Sequence, residues 1–219
     1  MINDITSPTP AGWYTIRSKE SGYYQGYHDA KSCGDKPNQN NSLSSTLNVG
    51  EMRIILRWPK TYPVTAQDLD AHFSIPDNDS TGTLHLYYGT NSSVKDYIIY
   101  ASADDNVTID KDHKVSTGSP PGDETITITK VRSGTYSFSV HNATDSDNLT
   151  ANYKTNLLRS NTKVKVFYNK EGTLIRKRFY VPSAEGTLWR VFTFDSSRSG
   201  SGFTVVDNMT YESTTSNVY

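Results

Sequence analysis

Apolar residues recur at every second position in one stretch after another of this 219-residue chain, and nowhere does an i, i+3, i+4 apolar pattern persist for two helical turns. Successive side chains of an extended chain point to opposite faces, so each such stretch reads as a strand with one face buried. The clearest spans residues 52–58, where Met52, Ile54, Leu56 and Trp58 are separated by Arg53, Ile55 and Arg57. Pro59 and Pro63 stop it. The chain restarts as Asp68-Leu69-Asp70-Ala71-His72-Phe73, which places Asp68, Asp70 and His72 on one face and Leu69, Ala71 and Phe73 on the other. Further strands are predicted over residues 12–17, 83–88, 96–100, 125–129, 134–140, 163–168, 174–181, 186–194 and 203–206, with loop between 104 and 123 and an aromatic, glycine-punctuated loop over 21–28. Short strands, turn signals and no crossover helices predict an all-β fold, an antiparallel β-sandwich over residues 48–212. Residues 1–47 read as a linker and a small β-rich N-terminal extension, and 213–219 as a disordered tail.

Composition narrows the function classes. A net charge of −1 and a pI near 6.5 provide no basic field for nucleic acid. No apolar run approaches the ~20 residues of a membrane span, so membrane insertion is not expected. Cys33 is alone, which excludes a disulfide framework or a CxxC metal site within the chain. The start at Met1 directly before a Ser/Thr/Pro-rich segment reads as a piece of a longer secreted protein. The expected setting is therefore extracellular or at the cell surface, linked to other modules. Asn-x-Ser/Thr triplets at Asn91, Asn106 and Asn142 would carry glycans only in a eukaryotic secretory pathway.

Several segments together resemble a family of bacterial surface domains. That family reads RIVLxW, DLDSH, LDxDD running into GPETITI, GTYRYxVH and GTLWxVF. Here the corresponding stretches are Arg53-Ile54-Ile55-Leu56-Arg57-Trp58, Asp68-Leu69-Asp70-Ala71-His72, Ile109-Asp110-Lys111-Asp112, Glu124-Thr125-Ile126-Thr127-Ile128, Gly134-Thr135-Tyr136 with Val140-His141, and Gly186-Thr187-Leu188-Trp189-Arg190-Val191-Phe192. The resemblance implies a β-sandwich appended to larger surface proteins, without catalytic activity. Two departures stand out: His113 replaces the last Asp of LDxDD, and the insertion KVSTGSPPGD separates it from the ETITI strand. Residues 12–23 loosely resemble the GxYTV strand of the small β domain that often precedes this one. In composition and aromatic loops, the chain is also similar to starch-adherence modules displayed by gut bacteria.

Asp68, Asp70 and His72, joined by Asp110 and Asp112 if the loop folds over them, are the candidates for a cation site. Carboxylates spaced by two on a strand can offer oxygens to Ca²⁺, whereas an imidazole suits zinc or nickel. The purely structural alternative has the carboxylates accepting backbone N–H groups at the sheet edge while His72 bonds a neighbour. The metal expectation is Ca²⁺ at Asp68, Asp70, Asp110 and Asp112.

Catalysis is not expected. No G-x-S-x-G nucleophile turn is present, and Cys33 and His28 lie in no recognisable motif. Asp123-Glu124 could serve a glycosidase only with a second acid across a cleft, and Glu124 reads better as the start of a strand. Trp58, Tyr136, Phe138 and Trp189 fall at inward positions and read as core. The aromatic residues in loops and on less apolar faces are the better lead, because sugars present apolar C–H faces rimmed by hydroxyls and are held by ring platforms with polar flanks. The predicted ligand surface comprises Trp13, Tyr23, Tyr24, Tyr27, His28, His85 and Tyr87. The partner class is a polysaccharide or oligosaccharide, with α-glucan or starch as the first candidate. The alternative is a structural or adhesive spacer, stabilised by a cation.

Overall fold

A computed structural model of the chain describes residues 12–18, 21–22, 26–32, 46–58, 68–76, 82–88, 107–113, 122–142, 144 and 154–218, with 12–18 and 26–32 described as backbone. The chain divides into two compact units, Met1–Thr46 and Leu47–Tyr219. In the first, β1 (Gly12–Ser18) and β2 (Gly26–Ser32) form an antiparallel hairpin with Gly12 opposite Ser32 and Ser18 opposite Gly26. Thr46 N–H donates to the Gly22 carbonyl at 2.8 Å. Tyr27 and His28, expected in a loop, belong to β2, paired in register with Arg17 and Ile16. Nothing in the apolar period marks that short strand.

The second unit is an all-β sandwich of two five-stranded antiparallel sheets. Its strands are β3 (Met52–Trp58), β4 (Asp70–Pro76), β5 (Thr83–Leu86), β6 (Val107–Lys111), β7 (Gly122–Ile128), β8 (Thr135–His141), β9 (Lys163–Lys170), β10 (Thr173–Tyr180), β11 (Leu188–Asp195) and β12 (Phe203–Thr210). One sheet runs β10-β9-β3-β7-β6 and the other β12-β11-β8-β4-β5. A single turn, α1 (Asn156–Arg159), precedes β9. Among the described residues no helix is long and apolar enough to cross a membrane.

The core is the sum of the inward halves of these strands. Met52, Ile54, Leu56 and Trp58 from β3 join Val164, Val166 and Tyr168 from β9 and Ile126 and Ile128 from β7. The opposing sheet contributes Phe73, Ile75, Tyr136, Phe138, Val140, Trp189, Phe192 and Phe194. All four aromatic residues predicted as core are buried. Trp189 pairs with Val140 and Phe192 with Phe138, three residues apart on β11 but two on β8, and the register shifts between Arg190 and Phe192. That bulge lets Trp189, Phe192 and Phe194 all enter the core, which strict alternation would forbid.

Three sequence expectations are corrected here. Residues 104–123 were expected to be loop, yet they contain β6, whose Val107 and Ile109 are buried against the β7 ladder. Two apolar residues set among Asp and Thr are too short a pattern to signal a strand by period alone. Strand β12 extends to Thr210, beyond the apolar residues that announced it, because β11 supplies its hydrogen bonds. The end of the chain, expected to be disordered, forms a 3₁₀ turn at Thr215–Asn217 and buries Val218. The strand expected over 96–100 lies outside the described residues.

The β9–β10 hairpin turns through Glu171 and Gly172 with φ of 52° and 85°. Both central residues are left-handed, the geometry that matches strand twist in a two-residue hairpin and favours Asn-Gly. A non-glycine residue in that region costs about 1–2 kcal/mol, less for Asn. Glu171→Asn should therefore raise stability by a few tenths to about 1 kcal/mol, read as a higher denaturation midpoint at unchanged m-value.

Candidate functional site

Strand β4 enters its sheet where several elements meet. Asp70 pairs with His141 at the end of β8, and His72 pairs with Ser139. On the other side the β4–β5 ladder stops at the Phe73–Leu86 pair, leaving Ala71 beyond it. Ala71 donates its N–H to Glu124 Oε2 at 2.7 Å. Glu124 stands opposite the buried Leu56 in the β3–β7 ladder, so this carboxylate occupies an inward position and joins the two sheets. Burial pushes Glu124 well above the usual carboxylate range, and the neighbouring Asp70 adds to this; the Ala71 hydrogen bond works against it, while Asp112 and Asp68 raise it further.

Beside this carboxylate group lies a set of stacked rings. His72 Nδ1 is 2.9 Å from His85 Nε2, and the two rings stack at 5.0 Å with 29° between planes. Tyr87 stacks on His85 at 4.6 Å and on His72 at 5.3 Å, and Tyr88 meets Tyr87 edge-on at 5.7 Å. His141 presents its edge to His72 at 5.5 Å and 79°. Burial, then the proximity of His85 and His141, holds His72 well below the usual imidazole range. Burial alone brings His85 to about 4. Both rings are thus neutral near pH 7. His141 Nε2 is 2.9 Å from the Glu212 carbonyl oxygen. A carbonyl can only accept, so in neutral His141 the proton sits on Nε2 and the lone pair on Nδ1.

Among the described residues, two groups of side chains can converge on a cation, each with one ligand atom per residue within 4.8 Å of the others: Asp70, His72 and His141, and Asp70, Asp112 and Glu124. Asp70 is common to both.

Of the predicted cation ligands, Asp70 is buried at the centre, Asp112 is half-buried in the carboxylate group, and Asp68 is close enough to act on Glu124. Asp110 does not join them. It is exposed and accepts hydrogen bonds from the Thr108 and Thr127 hydroxyls. The β6–β7 register shifts between Ile109 and Lys111, and this irregularity separates Asp110 from Asp112. His113, standing where the resembled family has Asp, turns its ring edge-on to Trp58 at 5.9 Å, with Nδ1 3.8 Å from Asp123.

Among the predicted ligand-surface residues, His85 and Tyr87 are half-buried within the ring stack. Trp13, Tyr27 and His28 occupy the backbone of the N-terminal hairpin, and Tyr23 and Tyr24 lie outside the described residues. Sequence reasoning missed His141 as a site residue and assigned Glu124 a strand role alone. For His141 a partial signal was present: it follows the inward Val140 and so points to the opposite face. Asp70 and His72 of β4, Asp112 just after β6, Glu124 of β7 and His141 of β8 are brought together from separate stretches of the chain.

No family model and no curated protein matches this chain. The crystal structure of SAV2460, a protein of unknown function, is similar at 15% identity and a TM-score of 0.42, over 74% of this chain and 92% of that one.

Proposed function

We propose that the chain is a non-catalytic binding module of a secreted or cell-surface protein, with a polysaccharide as ligand and α-glucan as the first candidate. The observation that supports this reading is the ring stack in which His85 of the edge strand β5 and Tyr87 just beyond it lie against His72 of β4. A half-buried Tyr ring backed by two imidazoles loses little freedom when the C–H face of a sugar packs on it, which is how preorganisation favours a weak ligand. A second reading, a spacer domain stabilised by a cation, is supported by the buried carboxylates of Asp70 and Glu124.

Affinity electrophoresis of the full chain through gels containing starch, xylan, mannan or soluble cellulose tests the first reading. Retardation by starch is expected, and Tyr87→Ala should weaken it by roughly 1 kcal/mol, about a fivefold loss in affinity, with the folded fraction checked by melting. Mobility unchanged by every glycan would reject the carbohydrate reading in favour of the spacer.

A further inference from the structure

We propose that Asp70, His72 and His141 bind a divalent transition-metal ion, zinc being the best match, through a carboxylate oxygen, His72 Nε2 and His141 Nδ1. One ligand atom from each residue lies within 4.8 Å of the others, a span that small rotamer adjustments close onto one ion with bonds of about 2.0–2.2 Å. The choice of His72 Nε2 and His141 Nδ1 follows from His72 Nδ1 facing His85 and His141 Nε2 facing the Glu212 carbonyl. The three residues are at most 3% exposed, so the ion would be held away from bulk water.

His72 supplies an independent observation. Its Nδ1 engages His85, while its Nε2 is fully buried and meets no hydrogen-bond partner among the described residues. If His85 donates to His72, a buried N–H on Nε2 is left unsatisfied. If His72 donates to His85, a bare lone pair on Nε2 is buried instead. A metal ion removes the second difficulty and fixes the tautomer, with His85 Nε2 as the acceptor. His141 is arranged in the same way: its Nε2–H donates to the Glu212 carbonyl and leaves Nδ1 for the ion. Metal-bound imidazoles commonly donate their other N–H to an oriented acceptor of this kind. Both histidines are therefore orientated by a second group before any ion arrives.

The donor set decides the metal. Two imidazoles and one carboxylate suit zinc and its first-row neighbours, whereas Ca²⁺ asks for six to eight oxygens. This moves the cation from the oxygen-only set of Asp68, Asp70, Asp110 and Asp112 to the histidine side of Asp70. Asp70 and His72 begin β4 and His141 ends β8, so the ion would tie these neighbouring strands together at the end of their ladder, where Asp70 pairs with His141. It would also compensate the Asp70 charge, which crowds Glu124. The proposal stands on this geometry and is independent of the glycan reading.

The test uses the full chain stripped with chelator and then titrated with Zn²⁺, Co²⁺ or Ca²⁺. Zn²⁺ is expected to bind one ion per chain by calorimetry and to raise the melting temperature in a saturable manner, with Ca²⁺ having little effect. His141→Gln and Asp70→Asn should each weaken Zn²⁺ binding by about 10–100-fold or more, while Asp110→Asn leaves it unchanged. Ring ¹⁵N shifts of the wild-type chain decide the matter even if those variants fail to fold. Zn²⁺ should perturb His72 at Nε2 and His141 at Nδ1. Ring shifts confined to His28, His85 or His113, a response to Ca²⁺ equal to that to Zn²⁺, or no response to Zn²⁺ or Co²⁺ would overturn the proposal.

Discussion

Trp58→Ala is expected to lower the unfolding free energy by about 3–5 kcal/mol, the usual cost of truncating a large aromatic in a core. Trp58 ends β3 with 1% of its surface exposed. Its ring lies over Gly122, its partner in the β3–β7 ladder, so closely that a Cβ at that position would be 2.0 Å from Trp58 Cε2. The indole therefore fills the space that a side chain on β7 would occupy, and its removal leaves a cavity between strands whose backbones cannot close together. The reverse change, Gly122→Ala, forces the ring aside and should cost about 1–3 kcal/mol through overpacking. Because both effects concern the same space, they should not add. In the Trp58→Ala background the alanine at 122 enters the vacated volume, and its cost should largely disappear. Denaturant titrations of the single and double variants measure this coupling, and strict additivity would show that the ring does not depend on the glycine.

Most of the sandwich was legible because its strands alternate cleanly and are bounded by turn residues. Strands β3, β8 and β9 each carry three or more large apolar residues at a spacing of two, and that period has no competing reading. Strand β6 was illegible because Val107 and Ile109 are its whole apolar content, and the partner β7 supplies the rest of its stability through the ladder. Strand β12 outran the apolar run over 203–206 for a related reason: the lone Met209 packs against the core, but the ladder with β11 that carries the strand to Thr210 leaves no trace in hydropathy. The β11 bulge was hidden as well: LWRVFTF reads as a plain strand until the register with β8 shows which residues face inward.

The site was legible only in part, and the reason is positional. Asp68, Asp70 and His72 drew attention because three polar, chemically capable side chains share one face of a strand. Nothing in one dimension joins them to Glu124 or His141, which lie on β7 and β8 and reach β4 through sheet packing and register. Glu124 was the harder case, since it occupies an inward position where the pattern calls for an aliphatic residue. A buried carboxylate breaking a strand's apolar face is itself a signal that the local rule has been overridden for function or for a specific contact. Asp110 shows the reverse error, because proximity to Asp112 in sequence did not survive the register shift in β6.

Glu124 gives the second large expected effect, and for its charge-removing variant the size of that effect depends on pH. Glu124→Ala deprives the buried Ala71 N–H of its acceptor, which should cost about 1–3 kcal/mol on that account alone, with the lost packing added. Glu124→Gln keeps a carbonyl oxygen for Ala71 while removing the charge that burial and the neighbouring Asp70 disfavour. A carboxyl whose folded pKa is raised contributes stability that is fully present below its unfolded value, near 4.5, and is lost as pH rises through the folded value. Below pH 4.5 the wild type and Glu124→Gln should therefore be similar, and above it the glutamine variant should gain progressively until the folded carboxyl has ionised. His72 and His85, whose folded values lie below the ordinary 6.5, titrate in part of the same range. They are present in both proteins and cancel to first order in the difference. Chemical denaturation of both proteins in excess chelator, repeated from acid to neutral pH, measures that difference directly. A gap between them that stays constant with pH would mean that Glu124 is not held protonated by its surroundings.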